Sequence, residues 1–220
     1  MNLNILNKIM FFDDHIDSKK NNAISVTTLL GPMYKAKLYL DKRDKYNATD
    51  IMYKRSSFIG TAIHARAEMI TKDNPDYRTE EFLESEVVED GIVYTVAGSY
   101  DGIKKVDGKW YMYDYKSGYG KARNESALEK DAKQMSIYRW LLNRNHPGIV
   151  VEDTAYSIFI SQSNNVMEEI PVQLMDLDDV TTFIHTKLWA IENNESVDCN
   201  DNIKYNGCTY CDYNCDHRKK

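Results

Sequence analysis

Two Asp-Gly steps, Asp90-Gly91 and Asp107-Gly108, divide the stretch from Phe82 to Lys116 into three short runs rich in β-branched and aromatic residues. Asp-Gly suits the two-residue hairpin turn in which both central residues take positive φ, because aspartate tolerates that region and glycine enters it without a Cβ clash. The pattern predicts a three-stranded antiparallel meander. It also sets the pairing: a two-residue turn at Asp107-Gly108 without a bulge places Asp101 opposite Asp114. Side chains so paired have Cβ atoms about 4.5–5.5 Å apart, and like charges there destabilise a sheet unless a cation lies between them. Lys116, two residues beyond Asp114, falls on the same strand face.

Helices are expected on either side. Ser25 can cap a helical stretch through Leu40 that Gly31-Pro32 interrupts, and the charged segment from Asp41 to Asp50 reads as a loop. From Tyr53 to Thr71, Phe58, Ala62, Ala65 and Met69 recur at helical spacing until Asn74-Pro75 stops the segment, and His64 rides on this helix. A long helix from Glu125 to Asn143, apolar at Leu128, Met135, Tyr138 and Leu142, ends before His146-Pro147-Gly148. Thr154 to Ser161 and Glu168 to Val172 read as strands, and a helix from Asp178 carries Val180, Phe183, Ile184, Leu188 and Ile191 on one face. The order predicts a mixed α/β fold: a central mixed sheet containing the meander, flanked by helices. Residues 1–198 form the expected catalytic domain and 199–220 a cysteine-rich tail.

Composition narrows the class. With 220 residues the chain is of single-domain size, and 42% apolar residues exclude a disordered polymer. No apolar run is long enough to span a bilayer, so no membrane partner is expected. Ile5 to Phe12 contains Lys8 and runs into Asp13-Asp14 without a small-residue cleavage site, a poor signal peptide, so an intracellular, cytoplasmic location is expected. The abundance of Asn, Lys, Ile and Tyr fits an AT-rich genome, including that of a virus whose protein acts in the host cell. A net charge of −6 argues against a surface that coats duplex DNA, so any nucleic-acid contact must be local. Basic residues gather at 35–54 and 116–144 and acidic ones at 79–90 and 176–201.

The facing carboxylates are hard oxygen donors suited to magnesium or manganese, and Lys116 stands where it can orient water or steady charge developing on phosphorus. Asp-Tyr-Lys alone is more often an exposed strand of mixed charge, and His64 alone more often an ordinary helix residue than a ligand. Gln134 and Tyr138 share a helix face by their four-residue spacing.

Taken in order, Gly60-x-x-x-His64, Gly98-Ser99-Tyr100-Asp101-Gly102, Asp114-Tyr115-Lys116-Ser117-Gly118 and Gln134-x-x-x-Tyr138 resemble the motif series of RecB-like nucleases in the PD-(D/E)XK superfamily. Ser25-Val26-Thr27-Thr28 followed by Pro32 is similar to the amino-terminal helix of that group, so the likeness spans nearly the whole chain. It implies a restriction-endonuclease-like core in which His64, Asp101, Asp114 and the backbone carbonyl of Tyr115 bind Mg2+ or Mn2+ and Lys116 is the catalytic lysine. Gln134 and Tyr138 would organise the site and contact DNA. The loop from Tyr119 to Asn124 would grip phosphate through Lys121 and Arg123. Glu86 is a weaker candidate ligand, because hairpin register pairs it with Thr95, roughly 20 Å along an extended strand from Asp101.

The implied activity is hydrolysis of DNA phosphodiesters, by an exonuclease or end-processing enzyme acting on single strands or ends in recombination, repair or replication. The chain shows no helicase motor, so unwinding would need a helicase or recombination partner. Competing readings are a catalytically silent DNA-binding or assembly subunit, a CRISPR-adaptation-type or endonucleolytic relative, and a metal-stapled interaction module with the carboxylates as surface decoration.

Cys199, Cys208, Cys211 and Cys215 all lie in the last tenth of the chain, which in a reducing compartment points to a metal rather than disulfides. Some RecB-like nucleases hold an iron–sulfur cluster with one amino-terminal and three carboxy-terminal cysteines. Here no cysteine precedes Cys199, and Cys208-x2-Cys211-x3-Cys215 is tighter than that pattern. Four thiolates suit a [4Fe–4S] cluster or tetrahedral zinc, free thiols are the third reading, and His217 is a substitute ligand. Purification under argon distinguishes the three: a brown protein carries iron, a colourless one with stoichiometric zinc excludes it, and a colourless metal-free one leaves free thiols.

Overall fold

The computed structural model describes residues 20, 22–31, 36–37, 40, 55–120 and 122–193. The 41–50 segment, Lys121, His217 and all four cysteines lie outside the described residues, as does most of the 32–39 stretch. The elements run β1 (Ala23–Ser25), α1 (Val26–Leu29), α2 (Arg55–Thr71), β2 (Tyr77–Glu89), β3 (Ile92–Val106), β4 (Lys109–Gly118), α3 (Glu125–Asn145), β5 (Thr154–Ser161), β6 (Met167–Gln173) and α4 (Leu177–Glu192).

Both Asp-Gly turns form as expected, with φ of 48° and 80° at Asp90-Gly91 and 51° and 83° at Asp107-Gly108. They produce the β2–β3–β4 meander, and β2 begins at Tyr77, earlier than Phe82. β3 is the spine of a six-stranded mixed sheet. β2 runs along one of its edges from Tyr77↔Lys104 to Glu89↔Ile92. Two strands share the other edge: β1 lies parallel to β3 at Thr95–Ala97, and β4 antiparallel to it at Gly102–Val106. Between Gly98 and Asp101 that edge has no strand partner among the described residues, so the sheet forks there. Past the fork β4 runs parallel to β5, with α3 as the crossover, and β6 closes the order antiparallel to β5.

Ser25 caps α1 as expected, its Oγ accepting the Thr28 amide at 3.0 Å, but the first helical piece stops at Leu29. Helix α3 starts at a cap made by Asn124, whose side chain accepts the Ala127 amide at 2.9 Å. Its second half, Met135 to Leu142, is buried, and it packs against five strands and α4. The expected stripe of α4 is buried at Val180, Ile184, Leu188 and Ile191. No helix among the described residues is long and apolar enough to cross a membrane.

Helix α2 differs from expectation in the face it uses. Ala62, Ala65 and Met69 are exposed, Met69 at 64%, whereas Gly60, Ile63, His64 and Ala67 turn toward the sheet. Alanine and methionine give this helix little amphipathic contrast, so its apolar spacing does not fix its rotation, and the face carrying Gly60 and His64 meets β4.

The Asp107-Gly108 turn sets where β4 leaves β3, and a Cβ added at Gly108 would meet nothing within 4 Å. Gly108→Ala should therefore cost only the left-handed backbone penalty, about 1–2 kcal/mol. Urea denaturation should show this as a lower midpoint with an unchanged slope; an unchanged midpoint would mean that the turn does not need its glycine.

Candidate active site

The fork gathers the expected residues from both faces of the sheet. On one face α2 lies over β4: the His64 ring sits 5.8 Å from the Tyr115 ring, and a Cβ at Gly60 would stand 3.8 Å from Ser117 Oγ. Strand alternation sends Lys116 to the other face, where its Nζ donates to Gln134 Oε1 of α3 at 3.0 Å. Lys116 Nζ also lies 2.5 Å from Asp114 Oδ2, an ion pair that is this buried oxygen's one partner among the described residues.

The β3–β4 register is the one the turn dictates, Val106↔Lys109 through Gly102↔Tyr113, but the ladder stops one residue short of Asp101 and Asp114. Here β4 departs toward β5, and the Asp101 carboxylate fills the opening by accepting the Tyr115 amide at 2.6 Å through Oδ2. Its Oδ1 lies 3.5 Å from His64 Nδ1.

Two glycines of the second motif make room for aromatic rings. A Cβ at Gly98 would come within 3.1 Å of the Tyr138 ring, and one at Gly102 within 2.1 Å of the Tyr113 ring. Tyr138 is thereby seated beside the fork, and its phenol is held well above the ordinary range by burial and then by the charges of Asp114 and Asp101.

Three side chains stand differently from expectation. Glu86 pairs with Thr95 as the register requires, but its exposed carboxylate meets Lys20 at 3.1 Å, away from the fork. Glu80 is at the fork instead: its Oε1 lies 3.0 Å from His64 Nδ1, and one donor atom each from His64, Glu80 and Asp101 fall within 4.8 Å of one another. The turn at Asp90-Gly91 pairs Glu80 with Asp101 by the same arithmetic that pairs Glu86 with Thr95, so the signal was present. Arg123 does not point a free guanidinium at phosphate; it grips the buried Asp131 at 2.5 and 2.7 Å. Asp131 also accepts Ser157 Oγ at 2.8 Å, so this pair anchors the start of α3 to β5.

Burial dominates the electrostatics of the fork. Burial, and then the charge of Asp114, push Asp101 up to about 8, against the pull of His64, the Tyr115 amide and Lys116. Burial raises Asp114 as well, against the charge of Lys116. At His64 burial is outweighed by Glu80 and Asp101, so the imidazole is held above its ordinary value. Two buried carboxylates, the Glu80 carboxylate and an imidazole fit a divalent ion that takes hard oxygen and nitrogen donors.

The model of the PD-(D/E)XK nuclease superfamily matches residues 58–215, and the chain belongs to that superfamily, a class of metal-dependent nucleases. The match takes in His64, Asp101, Asp114, Lys116, Gln134 and Tyr138 and continues through Cys215, across the expected boundary at residue 198. The solved structure of SSO0001 shares the fold with a TM-score of 0.67 at 18% identity, over 99% of this chain and 97% of that one. No curated protein matches the chain in sequence.

A pH dependence follows. Between about pH 5 and pH 8 the folded chain holds a proton on Asp101 that an unfolded chain has already released, and the raised Asp114 acts in the same direction, so metal-free stability falls as pH rises through that range. His64, also raised, acts in the same direction, since its contribution is lost as pH rises through its folded value. Glu81, where burial is outweighed by hydrogen bonds from Tyr100 and His146, is lowered and acts in the opposite sense only at more acid pH. The metal-free Tm should fall from pH 5 to pH 8, and saturating Mn2+ should raise Tm more at pH 8, where it meets fewer competing protons. A metal-free Tm that rises over this range would contradict the assignment of buried, raised carboxylates.

Proposed function

We propose that the chain is a DNA exonuclease or end-processing nuclease whose reaction centre is the fork at Asp101, Asp114, Lys116 and His64. The observation that carries this reading is the convergence there of two buried carboxylates and the Lys116 ammonium, with Gln134 holding the ammonium from α3. A divalent ion held by Asp101, Asp114 and His64, with the Tyr115 carbonyl, would polarise a phosphodiester and lower the pKa of a bound water.

The chain's own residues divide the remaining work. Lys116 presents a positive charge 2.5 Å from Asp114 Oδ2 and can orient the attacking water or steady charge on the phosphate oxygens. Gln134 fixes the lysine's direction through its side-chain oxygen. Tyr138, one turn further along α3 and packed on Gly98, closes the core side of the fork against water. A net charge of −6 confines DNA contact to the neighbourhood of this site, which suits action at an end better than wrapping of a duplex. Lys121 would contribute to that contact, while Arg123 contributes through its hold on Asp131. Recombination, repair or replication inside the cell is the setting that such an activity serves. The cysteine tail would staple a structural metal, an iron–sulfur cluster or zinc, outside the reaction centre.

End-labelled single- and double-stranded oligonucleotides, each blocked at one terminus, and closed circular DNA should be incubated with Mn2+ or Mg2+. Unblocked linear strands should be degraded and circles spared. Lys116→Ala should lose about 10²–10³-fold in rate while Mn2+ binding persists. Cleaved circles would make the enzyme an endonuclease, and undiminished cleavage by Lys116→Ala would remove the proposed chemistry.

A further inference from the structure

Glu80 occupies an unusual place for a strand residue. Its neighbours pair regularly, Thr79 with Gly102 and Glu81 with Tyr100, yet Glu80 itself drops out of the ladder with φ at 51°. Glutamate seldom adopts this left-handed conformation in a strand, and such outliers persist where the surroundings over-determine them. The position it leaves faces Asp101.

We propose that Glu80 is a direct ligand of the divalent ion, joined to His64 and Asp101; the inference rests on the metal-dependent reading of the same fork. Three nearby donors set the geometry. Glu80 Oε1 lies 3.0 Å and Asp101 Oδ1 3.5 Å from His64 Nδ1, so both oxygens address the same ring nitrogen. Adjacent ligands of an octahedral ion with bonds of about 2.0–2.1 Å stand about 3 Å apart, which is close to this spacing. Beside the three donors stands Asp114, only 2% exposed, whose buried Oδ2 is partnered among the described residues by the Lys116 ammonium at 2.5 Å. With His64, Glu80, Asp101, Asp114 and the Tyr115 carbonyl as donors, one position of a six-coordinate ion stays open for water or a phosphate oxygen.

The competing role for Glu80 is to orient the His64 ring through a hydrogen bond, as carboxylates do for many metal-bound histidines. The two roles separate in a double-mutant cycle on the full chain without DNA, with Mn2+ binding read by EPR of the free ion, which follows weak binding as well as tight. The variants are Glu80→Ala, Glu80→Gln, His64→Ala and Glu80→Ala in the His64→Ala background, with Glu86→Ala as a control and circular dichroism to verify folding. A direct ligand predicts that Glu80→Ala weakens Mn2+ binding at least about tenfold, that the loss persists without His64, and that Glu80→Gln, which keeps the hydrogen bond but not the charge, is also impaired. Wild-type affinity in either Glu80 variant, or a loss that vanishes in the His64→Ala background, overturns the proposal. If the unaltered chain binds no Mn2+, the metal-dependent reading itself fails and the proposal falls with it.

Discussion

Two carboxylates buried side by side repel each other, and the apolar core around them offers no relief. Asp101 and Asp114 are 9% and 2% exposed, and burial is the largest influence on both. A sheet closed along its whole length would have no room to answer that repulsion. The fork supplies it: β1 and β4 divide one edge of β3 between them, and the gap admits the Tyr115 amide to Asp101, His64 from one face and Lys116 from the other. The remaining cost is carried as raised pKa values, which a divalent ion would relieve.

The scaffold that holds the fork open is itself polar. Tyr100, next to Asp101, donates to Glu81 at 2.8 Å, and Glu81 is held in turn by His146 at the end of α3 and by Arg78 on its own strand. At the other end of α3, Arg123 and Ser157 fix Asp131. Gln134 and Tyr138, which face the fork, thus sit on a helix tied down at both ends, so their positions follow from anchors outside the site.

Much of this was legible because turns and stripes are local. Asp107-Gly108 fixed the β3–β4 register, and Val180, Ile184, Leu188 and Ile191 announced the buried face of α4. What escaped depended on partners distant in sequence or on weak contrast. Nothing in Ala23–Ser25 indicates that it shares an edge with a strand some ninety residues later, and without that knowledge Asp101 and Asp114 read as an ordinary opposed pair rather than the lips of a fork. Helix α2 was placed correctly and rotated wrongly because its alanines commit it to neither face. Glu80 was missed because β2 was expected to begin at Phe82, two residues past it, although the pairing arithmetic already led to Asp101.

One helix serves both packing and chemistry. The side of α3 that seals the core and the side that meets the fork alternate within a single turn: Met135 and Leu142 are wholly buried, while Gln134 bonds Lys116 and Tyr138 rests on Gly98. A rotation of α3 that relieved a core cavity would therefore swing Gln134 off the lysine. The fork and the core are in this way a single packing problem, and the residue types at 98, 134 and 138 answer to both. Gly98 is the clearest case, since any larger side chain there presses on the Tyr138 ring from one side and on Val26 from the other.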